Sequence, residues 1–329
     1  MKRQFLKRIA RLATAGIASV AAPWSWAQSG YPDRPIKLIV PFPPGGSVDP
    51  IARVVGLKLG ELLGKPIVID NRVGGNTAIG AGLVAKAAPD GYTLLFTAGS
   101  THVIHTMQSK LPYDSIKDFV PVCMVSKFGF GYMLAVHPSV PANTLPEFVA
   151  YARANPGKLN YASSGIGNAN HLAGELFNIL AGAKIVHVPY KGGALALQDM
   201  LAGRIQMMIT NTPALQSHVD AGTLRALAYT VPQPSMPGSP LFAQYGMAEF
   251  ESIESINVLL APLGTPETVI TRLSTAMQRV LAMPEVRAGL EGQKQFAAYQ
   301  GPAELGTRMR ADRAKYAEVI DKAQIQLTP

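Results

Sequence analysis

The chain has 329 residues, with 30 Lys and Arg against 21 Asp and Glu, a net charge of +9 and an isoelectric point of 9.6. Five of the basic residues (Lys2, Arg3, Lys7, Arg8, Arg11) stand in the first 27 residues, leaving 25 basic against 21 acidic, or +4. The remainder has no basic run interleaved with aromatics, which excludes nucleic acid as the natural partner, and a single cysteine, Cys123, excludes an intramolecular disulfide.

The basic start is followed by a small and apolar stretch, Leu12 to Ala22, and by Ser25-Trp26-Ala27. This order reads as an export signal cleaved after Ala27, so residues 1-27 are expected to be removed and the protein to be exported. The stretch is shorter than the roughly 20 residues of a membrane span. No later segment is longer and as apolar, so the mature chain is expected not to be membrane-inserted. Lys2-Arg3-Gln4-Phe5-Leu6-Lys7 carries a twin-arginine motif with lysine in the first place, and the general secretory route is favoured over twin-arginine export. Gln28, not cysteine, follows the cleavage point, which argues against a lipid anchor.

Beyond the signal, short apolar strands alternate with helical stretches. Ile36 to Val40 reads as a strand, Pro50 to Leu63 as a helix closed by Gly64, and Ile67 to Asp70 as a strand. Thr77 to Ala88 follows as a helix stopped by Pro89-Asp90-Gly91, then the strand Tyr92 to Phe96. Cys123, in the apolar run Val120 to Val125, reads as a buried core thiol. A second series begins near Tyr132: strand Met133 to Val136, helix Leu145 to Ala154, strand Leu159 to Ala162, helix His171 to Ala181, strand Ile185 to Val188. Helix Ala194 to Ala202, strand Ile205 to Ile209, helix Ala214 to Ala221 and strand Leu224 to Tyr229 continue it. Pro232 to Pro240 reads as a crossing loop. After the strand Asn257 to Ala261 come three helices, the last over Thr307 to Ala323. Such alternation predicts an α/β fold with mostly parallel sheets in two domains.

Three small polar loops follow strands. In the first, Pro43-Pro44-Gly45-Gly46-Ser47 offers a stiff turn and close backbone approach at a helix start, with Asp49 expected as the N-cap and Pro50 at the first helical position. Backbone N–H groups in such a place suit a carboxylate, although the charge of Asp49 opposes direct contact with an anion. The second runs from Ser163 to His171 and offers Ser163, Ser164, Gly165, Asn168 and Asn170. The third, Thr97 to His102, offers Ser100 and Thr101. Ligands of open α/β sheets bind beyond the carboxyl ends of strands, so these loops predict a cleft between two domains. No nucleotide fingerprint, nucleophile elbow or third metal ligand near His102 and His105 occurs. No catalysis, metal or cofactor is therefore expected. A secreted hydrolase using Ser163 or Ser164 with His171 is the alternative from another class.

Several phrases occur in a set order: Tyr31-Pro32-Asp33-Arg34-Pro35-Ile36, Val40 to Ser47, Asp70-Asn71-Arg72, Ala85 to Leu94, Lys110 to Asp114, Pro156 to Tyr161, His171 to Phe177 and Val188 to Gly192. Taken together, the mature chain resembles the Bug family, the periplasmic substrate-binding proteins of tripartite tricarboxylate transporters. The resemblance implies a two-domain periplasmic-binding-protein-like fold of type II that closes on a carboxylate and passes it to a permease. Domain 1 would comprise 28-130 plus 252-329 and domain 2 131-251, with hinge crossings near 128–132 and 230–256. It places Gly45, Gly46, Ser47 and Asp49 in one ligand loop and Ser163, Ser164, Gly165, Asn168, Asn170 and His171 in the other. Ser100 and Thr101 flank them, with Tyr190, Lys191 and Gly192 nearby; Lys191 either faces the ligand or braces a turn. Where many relatives have threonine after the loop serine, this chain has Val48. Where many have Asp-Asn, it has Thr210-Asn211, which favours a ligand without an ammonium group: a dicarboxylate, a hydroxy acid or an aromatic carboxylate. Docking of the loaded protein on a membrane sensor kinase is a second reading of the same fold.

Overall fold

The computed structural model describes residues 30–46, 48–108, 111–233, 236–252 and 256–325. Residues 1–27, where an export signal is expected, and Ser47 lie outside the described residues. Pro32–Pro329 form one compact unit.

The first sheet contains β1 (Ile36–Val40), β2 (Ile67–Asn71), β3 (Thr93–Ala98), β4 (Phe119–Phe128), β10 (Ile256–Pro262) and β11 (Gln295–Gln300), in the order β11-β4-β10-β3-β1-β2. Around it lie α1 (Asp49–Leu63), α2 (Ala78–Ala85), α3 (Gly99–Gln108), α8 (Glu267–Ala282), α9 (Pro284–Gly292) and α10 (Pro302–Lys322). The second sheet contains β5 (Tyr132–Val136), β6 (Asn160–Ser163), β7 (Val186–Pro189), β8 (Met207–Asn211) and β9 (Arg225–Tyr229), in the order β7-β6-β8-β5-β9. Its helices are α4 (Leu145–Ala154), α5 (Ala169–Ala181), α6 (Gly193–Leu201) and α7 (Thr212–Asp220).

The α/β class expected from the alternation is the one observed, but the sheets are mixed rather than mostly parallel. β1 runs parallel to β2 and β3, and β6 parallel to β7 and β8. β10 is antiparallel to β3 and β4, β11 to β4, and β5 to β8 and β9. The reason is the connectivity. The chain enters the second sheet through β5, which runs against β6, β7, β8 and β9; those four are joined through helices and all point the same way.

Register fixes where the crossings lie. Lys127 at the end of β4 pairs with Ile256 at the start of β10, and Asn257 pairs with Ala98 at the end of β3. In the second sheet, Tyr132 at the start of β5 pairs with Asn211 at the end of β8, and Tyr229 pairs with Met133. The connections β4 to β5 and β9 to β10 therefore join the edges at which the parallel strands of both sheets end. The short connection is tightly held. Thr212 Oγ1 donates to the Phe130 carbonyl at 2.7 Å, Gln233 Nε2 donates to the same oxygen at 3.0 Å, and the Tyr132 N–H donates to Thr230 Oγ1 at 2.9 Å. Gly131 has φ +56, and a Cβ there would lie 2.3 Å from Thr230 Oγ1, so only glycine makes this turn.

Period-2 alternation in β5 shows why that sheet is buried on both faces. Tyr132, Leu134 and Val136 join a large core with Phe148, Tyr161 and Phe177, while Met133 and Ala135 join a smaller core with Ala196, Met200 and Leu215. Phe148 of α4 and Phe177 of α5 are fully buried and stack at 5.7 Å. The large core also takes Ile39 and Leu95 of the first sheet and Leu305, Met309 and Tyr316 of α10. α10 packs against α3 and β4 on one side and α5 on the other.

The predicted helices and strands recur with most ends shifted by no more than three residues; β1 and α4 fall on their predicted spans, and α10 begins five residues before the predicted start at Thr307. The strand β11 was not expected, since Gln295-Phe296-Ala297-Ala298-Tyr299-Gln300 has little apolar content. Its place is set by long-range pairing with β4 and by a buried amide cluster, in which Asn257 Nδ2 donates to Ser126 Oγ at 3.0 Å and Ser126 Oγ donates to Gln295 Oε1 at 3.2 Å.

Candidate functional site

The first loop leaves β1 and turns into α1. Gly45 has φ +73, and the Gly46 N–H donates to the Pro43 carbonyl at 3.0 Å. Asp49 is the first residue of α1; the N-cap is Val48, one residue earlier than expected, and no side chain caps this helix. The Asp49 carboxylate instead folds the loop onto the helix. Oδ2 accepts from the Gly45 N–H at 3.0 Å and from Arg53 Nε at 2.9 Å, and Oδ1 accepts from Asn71 Nδ2 at 2.9 Å. Asn71, at the end of β2, also donates to the Phe42 carbonyl at 3.0 Å. Burial pushes the Asp49 pKa up, but the bonds from Arg53, Gly45 and Asn71 and the Arg53 charge outweigh it and hold the carboxyl at about 2. Asn71 and Arg53 were not among the expected site residues. The local signal for Arg53 is its place four residues after Asp49 on one helix face.

The third loop is not a loop. Thr97 and Ala98 belong to β3, and α3 begins at Gly99, so Ser100 (buried) and Thr101 (half-buried) sit in a first helical turn. A Cβ at Gly99 would meet the Ile256 side chain at 2.9 Å, and this close approach lets the strand pass straight into the helix.

The second loop leaves β6 and enters α5 through a net of neutral groups. Asn168 is the N-cap of α5 and accepts from the His171 N–H at 3.1 Å; its amide donates to Ser164 Oγ at 2.7 Å. Ser164 Oγ donates to Asn170 Oδ1 at 3.0 Å, and Asn170 Nδ2 donates to the Ile209 carbonyl of β8 at 3.0 Å. Ser163 is fully buried, and its Oγ lies 2.6 Å from His187 Nε2 of β7. His171 is not its partner: His171 Nδ1 accepts from the Gly167 N–H at 2.9 Å, and its ring stacks on that of His187 at 3.8 Å. Gly165 has φ +142, and its N–H donates to Ser163 Oγ at 3.2 Å.

Beyond this loop lies a cavity of about 360 Å³ lined by Ser164, Asn170, Gly193, Ala194, Leu197, Met208, Thr210, Asn211, Ala214 and Leu215. It stands at the carboxyl end of β8, where α5, α6 and α7 all begin. None of its lining side chains is charged. Thr210 and Asn211 are the last residues of β8 rather than residues after it, and Asn211 Oδ1 is buried with no hydrogen-bond partner. Of the expected residues, Ser164, Asn170, Thr210 and Asn211 are brought together here. Tyr190, Lys191 and Gly192 precede α6 without lining the cavity. The Tyr190 hydroxyl donates to Asp199 at 2.7 Å, Lys191 is exposed, and Gly192 (φ +119) is the N-cap of α6. The apolar lining residues Ala194, Leu197 and Ala214 were missed, because small and apolar residues in a first helical turn carry no signal distinct from core.

Among the described residues there is no cluster of three or more metal-ligating side chains and no helix long and apolar enough to cross a membrane. Cys123 is buried, and burial pushes its thiol up, away from reactivity.

Comparison with known proteins agrees with the resemblance seen in the sequence. A sequence model of the family described as "Tripartite tricarboxylate transporter family receptor" matches residues 51–325. Protein BugT of Bordetella pertussis is 39% identical over 274 residues, covering 82% of this chain and 82% of that protein. Among solved structures, Rpa4515 of R. palustris with adipate superposes with a TM-score of 0.72 at 32% identity, covering 90% of this chain and 99% of that one. MatC of Rhodopseudomonas palustris with bound malate gives a TM-score of 0.69 at 28% identity, covering 88% of this chain and 100% of that one.

Proposed function

We propose that this chain, which belongs to the tripartite tricarboxylate transporter receptor family, captures a small organic carboxylate in the periplasm and hands it to a membrane permease of that transporter type. One observation carries the reading: three helices begin around a cavity without a charged side chain, at the sheet edge from which the chain crosses. A helix N-terminus presents unpaired N–H groups and the positive end of the helix dipole. Three of them offset a carboxylate's charge without a lysine or arginine and without a tight ion pair that would slow release. The malate and adipate of two relatives are ligands of the matching kind.

In this reading Ser164, Asn170, Thr210 and Asn211 meet the ligand from the second sheet, and Gly45, Gly46 and Ser47 close on it from the first. Ser100 and Thr101 flank the closed site. Residues 28–130 with 252–329 move as one domain against 131–251, about the connections at 129–131 and 230–255. Closure then couples affinity to the open–closed equilibrium. The neutral lining supports a ligand without an ammonium group, since no carboxylate is present in the cavity to hold one. A non-catalytic role is supported by Ser163 being fully buried and by Ser164 donating to an amide rather than to a base.

Calorimetric titration of the mature protein, refolded free of ligand, tests this against C4–C6 dicarboxylates, citrate, aspartate, glutamate, benzoate, phthalates and nicotinate. One-to-one binding of a dicarboxylate, hydroxy acid or aromatic carboxylate is expected, and its loss in Ala214→Trp, which fills the cavity. Tight binding of aspartate or glutamate with none of plain dicarboxylates would overturn the ligand class.

A further inference from the structure

The second loop rests on a feature that its own sequence does not contain. Tyr161 and Ser163 lie on one face of β6, and the parallel register sets His187 of β7 opposite Tyr161. The His187 ring packs on Tyr161 at 4.9 Å and on His171 of α5 at 3.8 Å, with ring planes 26° and 11° apart. α5 can come this close because residue 174 is glycine; a Cβ there would lie 2.2 Å from the Tyr161 ring. A strand remote in sequence and the helix that follows the loop thus hold it at both ends, His187 at Ser163 and His171 at Gly167.

The hold on Gly167 has a protonation requirement. Gly167 N–H can donate to His171 only while Nδ1 carries a lone pair, which puts the proton of the neutral ring on Nε2. Ser163 Oγ accepts from the Gly165 N–H and reaches the Gly165 carbonyl at 3.0 Å as a donor, so His187 donating from Nε2 completes its bonding. Protonating His171 turns an acceptor into a donor facing a donor, and two charged rings at 3.8 Å repel.

We propose that His171 and His187 are positioning residues for the ligand loop, and that Ser163 to Asn168 keep the binding geometry only while the His171 ring is neutral. This rests on the reading that the loop meets the ligand. Burial lowers the His171 pKa to about 4; burial, and then the neighbouring His171, lower that of His187 to about 3. The titratable groups on the elements packed around the pair do not supply a counter-charge to an imidazolium. Tyr161 of β6 donates to Glu175 of α5 at 2.6 Å, and Tyr190 donates to Asp199, which Arg204 also engages. The sign follows. A loop-open state titrates near the ordinary histidine value of 6.5 and the ordered state near 4, so the open state takes up more protons between those values. Order is complete above about pH 6.5 and is lost as pH falls toward 4.

The test compares the wild type with His171→Asn, which places an oxygen acceptor where Nδ1 stood and does not titrate, and with His171→Leu, which supplies no acceptor. Malate and adipate are the probes, titrated from pH 7.5 to 4.5, with circular dichroism confirming the fold of each variant. The wild type is expected to lose affinity about tenfold or more relative to His171→Asn as pH falls to 4.5, while the ligand's own titration cancels in that ratio. His171→Leu should bind at least tenfold more weakly at pH 7.5. Amide hydrogen exchange of residues 165–168 without ligand gives an independent reading: faster exchange at pH 5 than the chemical rate predicts in the wild type, and none of this change in His171→Asn. Equal exchange and equal pH profiles in all three proteins would overturn the proposal. Changed exchange with no binding of either probe would instead sustain the positioning role and count against the carboxylate reading.

Discussion

The two strand-to-helix loops of the candidate site do the same local task by opposite electrostatic means. Each leaves a parallel strand and enters a helix, and each needs free N–H groups held in place. The Gly45 loop is tied down by a buried charge, the Asp49 carboxylate, with three donors around it. The Ser163 loop is tied down by neutral amides, hydroxyls and imidazoles. A charged brace is strong but needs its donors on every side. A neutral brace leaves the nearby cavity free of fixed charge, which suits a site that must accept an anion and release it.

Removing the charged brace should have the largest effect. Asp49→Ala leaves the Gly45 N–H and the Asn71 amide without their acceptor and is expected to cost about 2–4 kcal/mol, seen as a lower denaturant midpoint with an unchanged slope. If Asp49→Ala unfolds no more easily than wild type, the first loop is not held by this charge. Next comes the backbone approach behind the neutral brace. Gly174→Ala drives a Cβ into the Tyr161 ring and should cost about 1–3 kcal/mol while weakening ligand binding more than its stability loss implies. Gly30→Ala, with open space around it, is the matched control.

Acid should separate the loops in order. The Asp49 pKa is lowered to about 2, so its contribution is full above about pH 3.8 and falls only as pH drops toward 2. The buried histidines act at higher pH, between about 6.5 and 4, where the unfolded chain binds more protons than the folded one. Stability measured from pH 7 to 5 should decline by about 2 kcal/mol, with the second sheet's loop the first to lose exchange protection. Loss of the first loop's protection in that range would reverse the comparison. The smallest effect is expected at Arg53. Its side chain is half-exposed, so Arg53→Ala should leave stability nearly unchanged while raising the Asp49 pKa, read by carboxyl NMR titration.

Much of the candidate site was legible because turns and helix starts are local. Gly45, Ser164 and Asn170 were readable as small or polar residues at strand ends, while Thr210 and Asn211 came only from the resemblance to the Bug family. Asn71, His187 and the apolar lining residue Leu197 were not. His187 stands in Ile185-Val186-His187-Val188-Pro189, an ordinary strand, and only its register against Tyr161 makes it part of the loop. The pairing of Ser163 with His171 failed for the same reason: α5 turns the His171 ring toward Gly167, and the strand across the sheet supplies the ring that Ser163 meets.

By itself the sequence determined the α/β class and most of the helices and strands. These rest on hydrophobic period, Pro and Gly punctuation and helix-start chemistry, all of which act within a few residues. Only the tertiary structure decided that the sheets are mixed, that β11 joins the first of them, that Asp49 serves Gly45 and Asn71, and that three helices begin around one cavity. Those features depend on strand register and on the packing of helices against sheets. Their free energy comes from contacts between residues far apart in the chain, which no local pattern records.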